Sequence, residues 1–377
     1  MSSSTKGATT GGNEIKENTN GLSRLILFFF MWDTQNGSCY SFMPSMSTQS
    51  IQVPLPCPSE IWEASSERQW VKLVNSYQEP PFLSSIVKEV MSDSTGCLDK
   101  PLDGLSLNFI LHGLLSMCND IVHFHNQPLY LNNNATDGDL NWTPWRHRMT
   151  RALDTWKTRY DAYAMGILQD LDNEDARIQF QASNVAINGL YHMSHIIVNA
   201  NLRHLIIAAG AKAMFGHIVT TKDRDESSAV VAKWVSLTPT SAGHASWHAA
   251  QMFREGLLLL KDWNVNEVFH YPWCLFVGTL TCWACYHFSE LASQKPACEH
   301  AVLQGATLRR DAKVLMSRMV SHMALSGPAK AEVNMGHYCP HGLAIEIAKH
   351  LITIRWTVAY EAMKILEDLI LLEKPTG

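Results

Sequence analysis

The segment EVFHYPWCLFVGTLTCWACYHF, residues 267–288, carries a formal charge only at Glu267. It contains a Cys-x-x-Cys pair and two histidines, so it suits a metal or redox site, a membrane span, or a helix buried on every side. Pro272 lies where it can begin a helix, because the first helical residue needs no backbone N–H donor. The centre of a large helical domain requires a helix that is apolar on all sides. We therefore predict a buried central helix here.

A membrane span at residues 268–289 has length in its favour, since about 20 residues span a bilayer. His270, His287 and Pro272 weigh against a span, and no cluster of Lys or Arg flanks the segment to set a topology. A single-span membrane protein is therefore kept as an alternative prediction.

A zinc site needs four ligands that converge tetrahedrally, usually as two pairs presented from turns. Cys282 and Cys285 have only Cys298 and His300 as nearby partners, and this spacing is irregular. A thioredoxin-like redox site needs a preceding strand and an exposed helix N-terminus, which the sequence does not predict. Free cysteine is among the most buried residue types, so we interpret the pair as packing atoms.

Two histidine pairs have helical spacing: His192 with His195, and His244 with His248. Residues three or four apart share one face of a helix, so each pair has the geometry of two metal ligands. Neither pair carries the glutamate of the HExxH proteases, and the only Glu-x-x-His segment is EVFH at 267–270. A helical metal-dependent enzyme or sensor that uses these histidines or the cysteine pair is the other alternative.

The remainder of the chain shows helical periodicity and few strand signals. Ile347, Leu351, Ile354 and Val358 step by three or four within residues 343–372, as on the packed face of an amphipathic helix. The sequence therefore predicts an all-α fold, an irregular array of about nine to ten helices in one large domain. Further predicted segments are helices at 22–32, 60–78, 105–125, 145–171, 184–209, 242–263 and 303–323, and a charged, mobile connector at 221–228.

Composition argues against several functional classes. The chain of 377 residues is 46% hydrophobic and has a net charge of -5, with no basic stripe to neutralise nucleic-acid phosphates. The motifs GxGxxG, GxxxxGK[ST] and GxSxG are absent. We predict a protein that is not an enzyme and has no catalytic residues, no cofactor and no metal site.

The N-terminal segment MSSSTKGATTGGNEIKENTNG is small and polar, and it lacks the basic-then-apolar order of a secretory signal. Such a composition cannot bury enough apolar surface to fold by itself. We therefore predict a disordered leader at 1–21, a helical domain at 22–372 and a flexible tail at 373–377.

Several tryptophan-containing segments occur in a distinctive order. VPLPCPSEIWEASSERQW at 53–70 resembles the LPCP..LWEA.S...W signature in the middle homology region of fungal transcription factors that pair a zinc-finger array with a long helical regulatory region. The resemblance continues over some nine-tenths of the chain. Its further segments are RLILFFFMWD at 24–33, ILHGLLSM at 110–117, ALDTWKTRYDAY at 152–163, LYHMSHIIVNANLRHLIIAAG at 190–210, HASWHAAQMFREGLLLL at 244–260, FHYPWCLFVGTLTCWACYHF at 269–288 and IRWTVAYEAMKILEDL at 354–369.

This resemblance implies a nuclear transcription regulator, of a kind that includes regulators of metabolic and secondary-metabolite gene clusters. The helical region is expected to act through protein partners of the transcription machinery or a DNA-binding factor, with a homodimer or heterodimer as an open possibility. No segment has zinc-finger spacing, so DNA contact is expected only indirectly or through a finger region upstream. Either the chain is a free regulatory module, or its gene has further upstream exons.

Overall fold

The computed structural model describes residues 7–40, 42–77, 80–92, 102–125, 144–214, 216–261, 263, 265, 268–289, 306–328 and 337–372. Helices dominate these residues, so the predicted all-α fold is confirmed. The helices are α1 (Gly7–Tyr40), α2 (Ser59–Trp62), α3 (Glu67–Ser76), α4 (Leu83–Met91), α5 (Gly104–His125), α6 (Pro144–Asp170), α7 (Glu174–Asn199), α8 (Leu202–Ala208), α9 (Thr221–Leu237), α10 (Pro239–Leu259), α11 (Tyr271–His287), α12 (Ala306–Leu325), α13 (His341–Leu351) and α14 (Thr357–Leu372). Two short antiparallel strands, β1 (Ala213–Met214) and β2 (His217–Ile218), follow α8.

The predicted number of nine to ten helices is too low, because the described residues alone form fourteen. Predicted helices at 60–78, 184–209 and 343–372 are each broken in two. Within the helix predicted at 184–209, Ala200 has an extended backbone (φ -137°). The Asn201 side chain then caps α8 by accepting a hydrogen bond from the His204 N–H. Asparagine favours such caps over helix interiors, so the break has a local cause.

The segment at 221–228, predicted to be a mobile connector, is the first half of α9, so this prediction is wrong. A reciprocal capping box begins the helix: the Thr220 hydroxyl accepts from the Asp223 N–H, and the Asp223 carboxylate accepts from the Thr220 N–H. The two bonds satisfy backbone donors that a helix N-terminus otherwise leaves unpaired. The charged residues of α9 therefore form a solvent-exposed face of the helix, while Val231 and Val235 are buried.

Contacts divide the chain into two compact units, of which the first comprises residues 1–132 and 147–167. Its core is α5, which packs against α1 and α4. Trp156 of α6 is fully buried, stacks on Tyr160 at 4.9 Å between ring centroids, and donates from Nε1 to the Leu107 carbonyl at 2.7 Å. This indole therefore ties α6 to the start of α5 by both packing and a hydrogen bond.

The proline-rich segment at 53–58 interrupts the helices of the first unit, as the sequence predicts. Leu55 and Cys57 are buried although the segment is not helical. The Leu55 N–H donates to the Pro81 carbonyl at 2.9 Å, and the Leu83 N–H donates to the Val53 carbonyl at 3.1 Å. The two bonds form an isolated antiparallel β-bridge between Pro54 and Phe82, and they satisfy backbone groups of a segment that is not helical.

The second unit comprises residues 133–146 and 168–377 and is organised around α11. Fourteen residues of α11 are buried, and this helix contacts others that include α7, α10 and α13. The prediction of a buried central helix is therefore confirmed. Leu275, Leu280 and Trp283 are buried, as a central helix requires, whereas Trp273 in the first turn is half-buried.

Within the described ranges, one stretch is long and apolar enough to cross a membrane, Gly104–His123 of α5, and 67% of its most apolar window is buried inside the protein. The segment at 268–289, considered above as a span, does not meet this criterion. Burial against other helices is what the core helix of a helical unit requires.

The proposed boundaries stay predictions. Helix α1 begins at Gly7 and so takes in part of the leader at 1–21, while the tail at 373–377 lies outside the described residues. The single domain proposed for 22–372 contains the two compact units described above.

Gly342 tests the close packing of α13 on α12. A Cβ atom there would lie 2.6 Å from the Ala312 carbonyl oxygen and 2.8 Å from the Met316 nitrogen, both backbone atoms that cannot move aside cheaply. We expect Gly342→Ala to lower the free energy of unfolding by about 1 to 3 kcal/mol, measured by urea denaturation, as for other overpacked sites.

Gly166 in α6 is the matched control, since a Cβ atom there meets nothing within 4 Å. Gly166→Ala should raise stability by about 0.5 to 1 kcal/mol, because alanine loses less backbone entropy in a helix. Equal stability of the wild type and Gly342→Ala would contradict the described approach of α13 to α12.

Candidate functional site

The two histidine pairs found in the sequence lie on neighbouring helices, α7 and α10, which share the most extensive contact in the second unit. The Asn173 side chain caps α7, and Pro239 occupies the first turn of α10. His192 and His195 lie one turn apart on α7, and His248 faces them from α10. Packing of the two helices thus joins residues that are more than fifty positions apart in sequence.

These three histidines, which we call the histidine cluster, are in direct contact. The Nδ1 atoms of His192 and His248 lie 3.0 Å apart, and the rings of His195 and His248 stack with centroids 3.9 Å apart and planes 7° apart. Tyr191 presents its ring edge-on to His195 at 4.7 Å. All three imidazoles are buried. His244, the fourth predicted histidine, is only half-buried.

The neighbouring glutamate fixes which nitrogens carry protons. His192 Nε2 lies 3.4 Å from the Glu255 carboxylate. An ionised carboxylate accepts hydrogen bonds and cannot donate them, so the proton of a neutral His192 lies on Nε2. Its Nδ1 is then an acceptor, and His248 donates from Nδ1. Glu255 lies seven residues after His248 on the same face of α10, a spacing from which the sequence analysis drew no inference. The arrangement is a hydrogen-bonded chain from Glu255 through His192 to His248.

Burial keeps His248 uncharged. Burial lowers the pKa of His248 well below its ordinary value, and a positive charge on His195, His192 or His244 would lower it further. Burial likewise lowers the pKa of the nearby His270 to about 4, although the bond from its Nε2 to the Ala186 carbonyl, 3.0 Å long, acts in the opposite direction. The imidazoles of His248 and His270 therefore act as neutral packing and hydrogen-bonding groups at neutral pH.

The geometry does not favour a shared metal ion at the cluster. A metal ion binds to an imidazole lone pair, which lies in the plane of the ring. Because the rings of His195 and His248 are stacked and nearly parallel, their lone pairs do not converge on one point. Across the part of the chain that the structure describes, no three His, Cys, Asp or Glu side chains are placed to hold one ion. The absence of a metal site and of a cofactor stays a prediction.

The cysteine pair of α11 lies in the core. Cys282 and Cys285 are both buried, and Cys285 Sγ lies 3.7 Å from the Ala242 carbonyl oxygen. Burial raises the pKa of Cys282 to about 12 and that of Cys285 well above its ordinary value. Since the thiolate is the form that binds metals and attacks disulfides, both thiols are held in their unreactive form. Cys298, His300 and Glu267, the other residues considered for metal binding, lie outside the described residues.

The buried histidines predict a pH dependence of stability. Between about pH 6.5, where histidine titrates in the unfolded chain, and pH 4, the unfolded state binds protons that the folded state excludes. The free energy of unfolding should therefore fall as the pH is lowered from about 6.5 to 4. Above about pH 6.5 the buried histidines should not make it depend on pH. His270 alone should contribute a loss of about 3 kcal/mol by pH 4, measured by urea denaturation at several pH values.

His270→Gln keeps an N–H donor near the Ala186 carbonyl and removes the titrating ring, so this variant should show a smaller loss between pH 6.5 and 4. The exposed His217 supplies the control, since His217→Gln should keep the pH dependence of the wild type. An unchanged pH dependence in His270→Gln would show that burial of this ring does not control stability.

Comparison with known proteins identifies related sequences. Residues 8–158 match the model of the fungal specific transcription factor domain. The chain is 31% identical over 350 residues to the "Nicotinate catabolism cluster-specific transcription factor" of Emericella nidulans, a match that covers 92% of this chain and 38% of the relative. It is 25% identical over 271 residues to "Zinc finger protein klf1" of Schizosaccharomyces pombe, covering 71% of this chain and 32% of that protein.

The chain thus spans less than two fifths of the length of each of these relatives. No solved structure matches it. The domain match begins within α1 and ends within α6, so it covers most of the first compact unit. The alignment with the Emericella nidulans protein extends over nearly the whole chain, including most of the second unit. Residues 8–158 thus match the fungal specific transcription factor domain, and the chain as a whole is similar to a fungal protein named as a cluster-specific transcription factor.

Proposed function

We propose that the chain is a transcription regulator of the fungal type, without catalytic activity, that acts in the nucleus through protein partners and controls a metabolic or secondary-metabolite gene cluster. The observation that carries this proposal is the match over 92% of the chain to a relative named as a cluster-specific transcription factor. The domain match at residues 8–158 supports the same class of protein independently.

The chemistry of the core supports a regulatory rather than a catalytic role. The histidine cluster is buried, its member His248 is neutral, and the thiols of Cys282 and Cys285 are held protonated. Catalytic acids, bases and nucleophiles need a pKa near the working pH and access to a substrate, and these groups lack both. We infer that these side chains specify the packing of α7, α10 and α11.

Charge supports an indirect contact with DNA. The net charge of the chain is -5, and binding to phosphates depends on clustered Lys and Arg side chains. The name of the Schizosaccharomyces pombe relative contains the words zinc finger, and this chain spans 32% of that protein. We propose that any sequence-specific DNA contact is made by a partner or by a finger region outside this chain.

Deletion of the gene, followed by transcript profiling, tests the proposal. We expect a coordinated change in the transcripts of one set of neighbouring pathway genes, and restoration by an ectopic wild-type copy. A copy carrying Gly166→Ala should also restore the transcripts, because nothing lies within 4 Å of the added methyl group. Absence of a coordinated change in any pathway, under conditions in which the gene is expressed, would contradict the proposed function.

DNA binding by the purified chain gives a separate test of the indirect contact. In an electrophoretic shift assay with promoters of the affected genes, we expect only weak binding, with no preference over random DNA. Specific recognition is typically about 10³ to 10⁷ times tighter than non-specific binding, so the two outcomes are easily separated. Tight and sequence-specific binding by the chain alone would show that it reads DNA directly.

A further inference from the structure

Helix α1 exposes a row of large apolar side chains. Leu22, Leu25, Phe29 and Trp32, which we call the outer stripe, are 58%, 53%, 59% and 55% exposed. Phe28 lies beside them and is 43% exposed. Single exposed apolar residues are common on protein surfaces, but a contiguous patch marks a binding site.

The opposite face of the same helix is already used by the fold. Leu27 and Phe30 are fully buried, and α1 packs against α5. Phe28, at the border between the two faces, makes an edge-to-face contact with Phe109 at 5.3 Å. The helix is therefore apolar on both sides, and this pattern is typical of a helix that is covered on both sides.

The spacing of the outer stripe is that of a paired helix. Its members are separated by three, four and three residues, and a further step of four reaches Asn36. Steps that alternate between three and four place side chains along one seam, as at the a and d positions of a heptad. A polar asparagine at one such position is a known means of setting the register of two paired helices.

Charge does not oppose the pairing of two such stripes. The outer stripe contains no charged residue, and the nearest cation, Arg24, is engaged elsewhere in its own chain. Its guanidinium lies 4.1 Å from the centroid of the Trp62 ring and donates to the Cys57 carbonyl at 3.3 Å. Two copies can therefore approach through this face without like charges meeting.

We propose that the outer stripe binds the outer stripe of a second copy, so that two α1 helices pair about a two-fold axis. Each copy would bury on the order of 500 Å², given about 150 to 250 Å² for a whole aromatic side chain and the exposed fractions above. The total of about 1,000 Å² reaches the lower limit for a specific protein interface. A two-fold pair uses the same surface twice, so this one stripe supplies both halves of the interface.

A lipid surface fits the outer stripe less well than a second copy of the chain does. Helices that lie in the membrane interface carry many Lys and Arg side chains on their polar face. The side of α1 opposite the stripe is instead packed inside the protein, where Leu27, Phe30, Thr34 and Ser38 are buried. The stripe from Leu22 to Trp32 is also far shorter than the roughly 20 residues that cross a bilayer.

The mass of the full chain in solution tests this proposal by light scattering coupled to size-exclusion chromatography. At about 50 µM, above the micromolar dissociation constant expected of an interface near the lower size limit, the wild type should have twice the mass of one 42.3 kDa chain. Leu25→Glu with Phe29→Glu should have the mass of one chain and an unchanged helical circular dichroism spectrum, because four carboxylates would meet in the seam.

The matched control places the same two charges on exposed leucines elsewhere. Leu258→Glu with Leu371→Glu, at positions 70% and 55% exposed, should stay dimeric. If the double variant at the stripe fails to fold, Phe29→Ala serves instead, and it should weaken the dimer at least about tenfold, as truncation of an aromatic anchor does.

Three outcomes would overturn the proposal. The first is a wild type that stays monomeric at the highest concentration. The second is a mass that keeps rising beyond two chains, because a closed two-fold pair stops at two. The third is a control variant that dissociates as fully as the variant at the stripe, which would mean that the dimer depends on another surface or on net charge alone.

Discussion

A helix without a polar face must be covered by protein on every side, and α11 imposes this requirement on the second unit. Fourteen of its residues are buried, and helices that include α7, α10 and α13 supply the cover. Gly189 and Gly256 leave room for the side chain of Tyr271, the first residue of α11. The histidine cluster follows from the same constraint, because α7 and α10 are brought into contact as they enclose this helix.

Local patterns in the sequence were sufficient to predict the long helices. The apolar run of α11, the periodicity of α5 and α6 and the proline-rich break at 53–58 are all visible over a few residues. The prediction was wrong where a local cap mattered more than composition. The charged start of α9 is a helix because Thr220 and Asp223 cap it, and the long helix predicted at 184–209 is broken because Asn201 caps a new one.

The candidate site was only half visible in the sequence, for a physical reason. Spacing placed His192 and His195 on one helix face and His244 and His248 on another, but the meeting of the two faces depends on long-range packing. In the structure, His248 contacts His192, and Glu255 lies within hydrogen-bond distance of the same ring, whereas His244 is half-buried and lies outside the cluster. The side chains that first suggested metal chemistry are thus better explained as a polar network in an apolar core, where every unpaired donor would be costly.

The seam between α1 and α5 is polar as well as apolar, and this determines how α1 presents its surface. Gln35 Nε2 donates to His112 Nε2 at 2.6 Å, and Asn119 Nδ2 donates to the Ser38 hydroxyl at 2.9 Å. Rotation or sliding of α1 by one residue would break these bonds inside the core, where water cannot replace them. An all-leucine seam would tolerate several rotations of the helix about its axis, whereas this one permits a single orientation. The buried amides of Gln35 and Asn119 thus fix the rotation of α1 about its own axis, and so determine which of its side chains face outward.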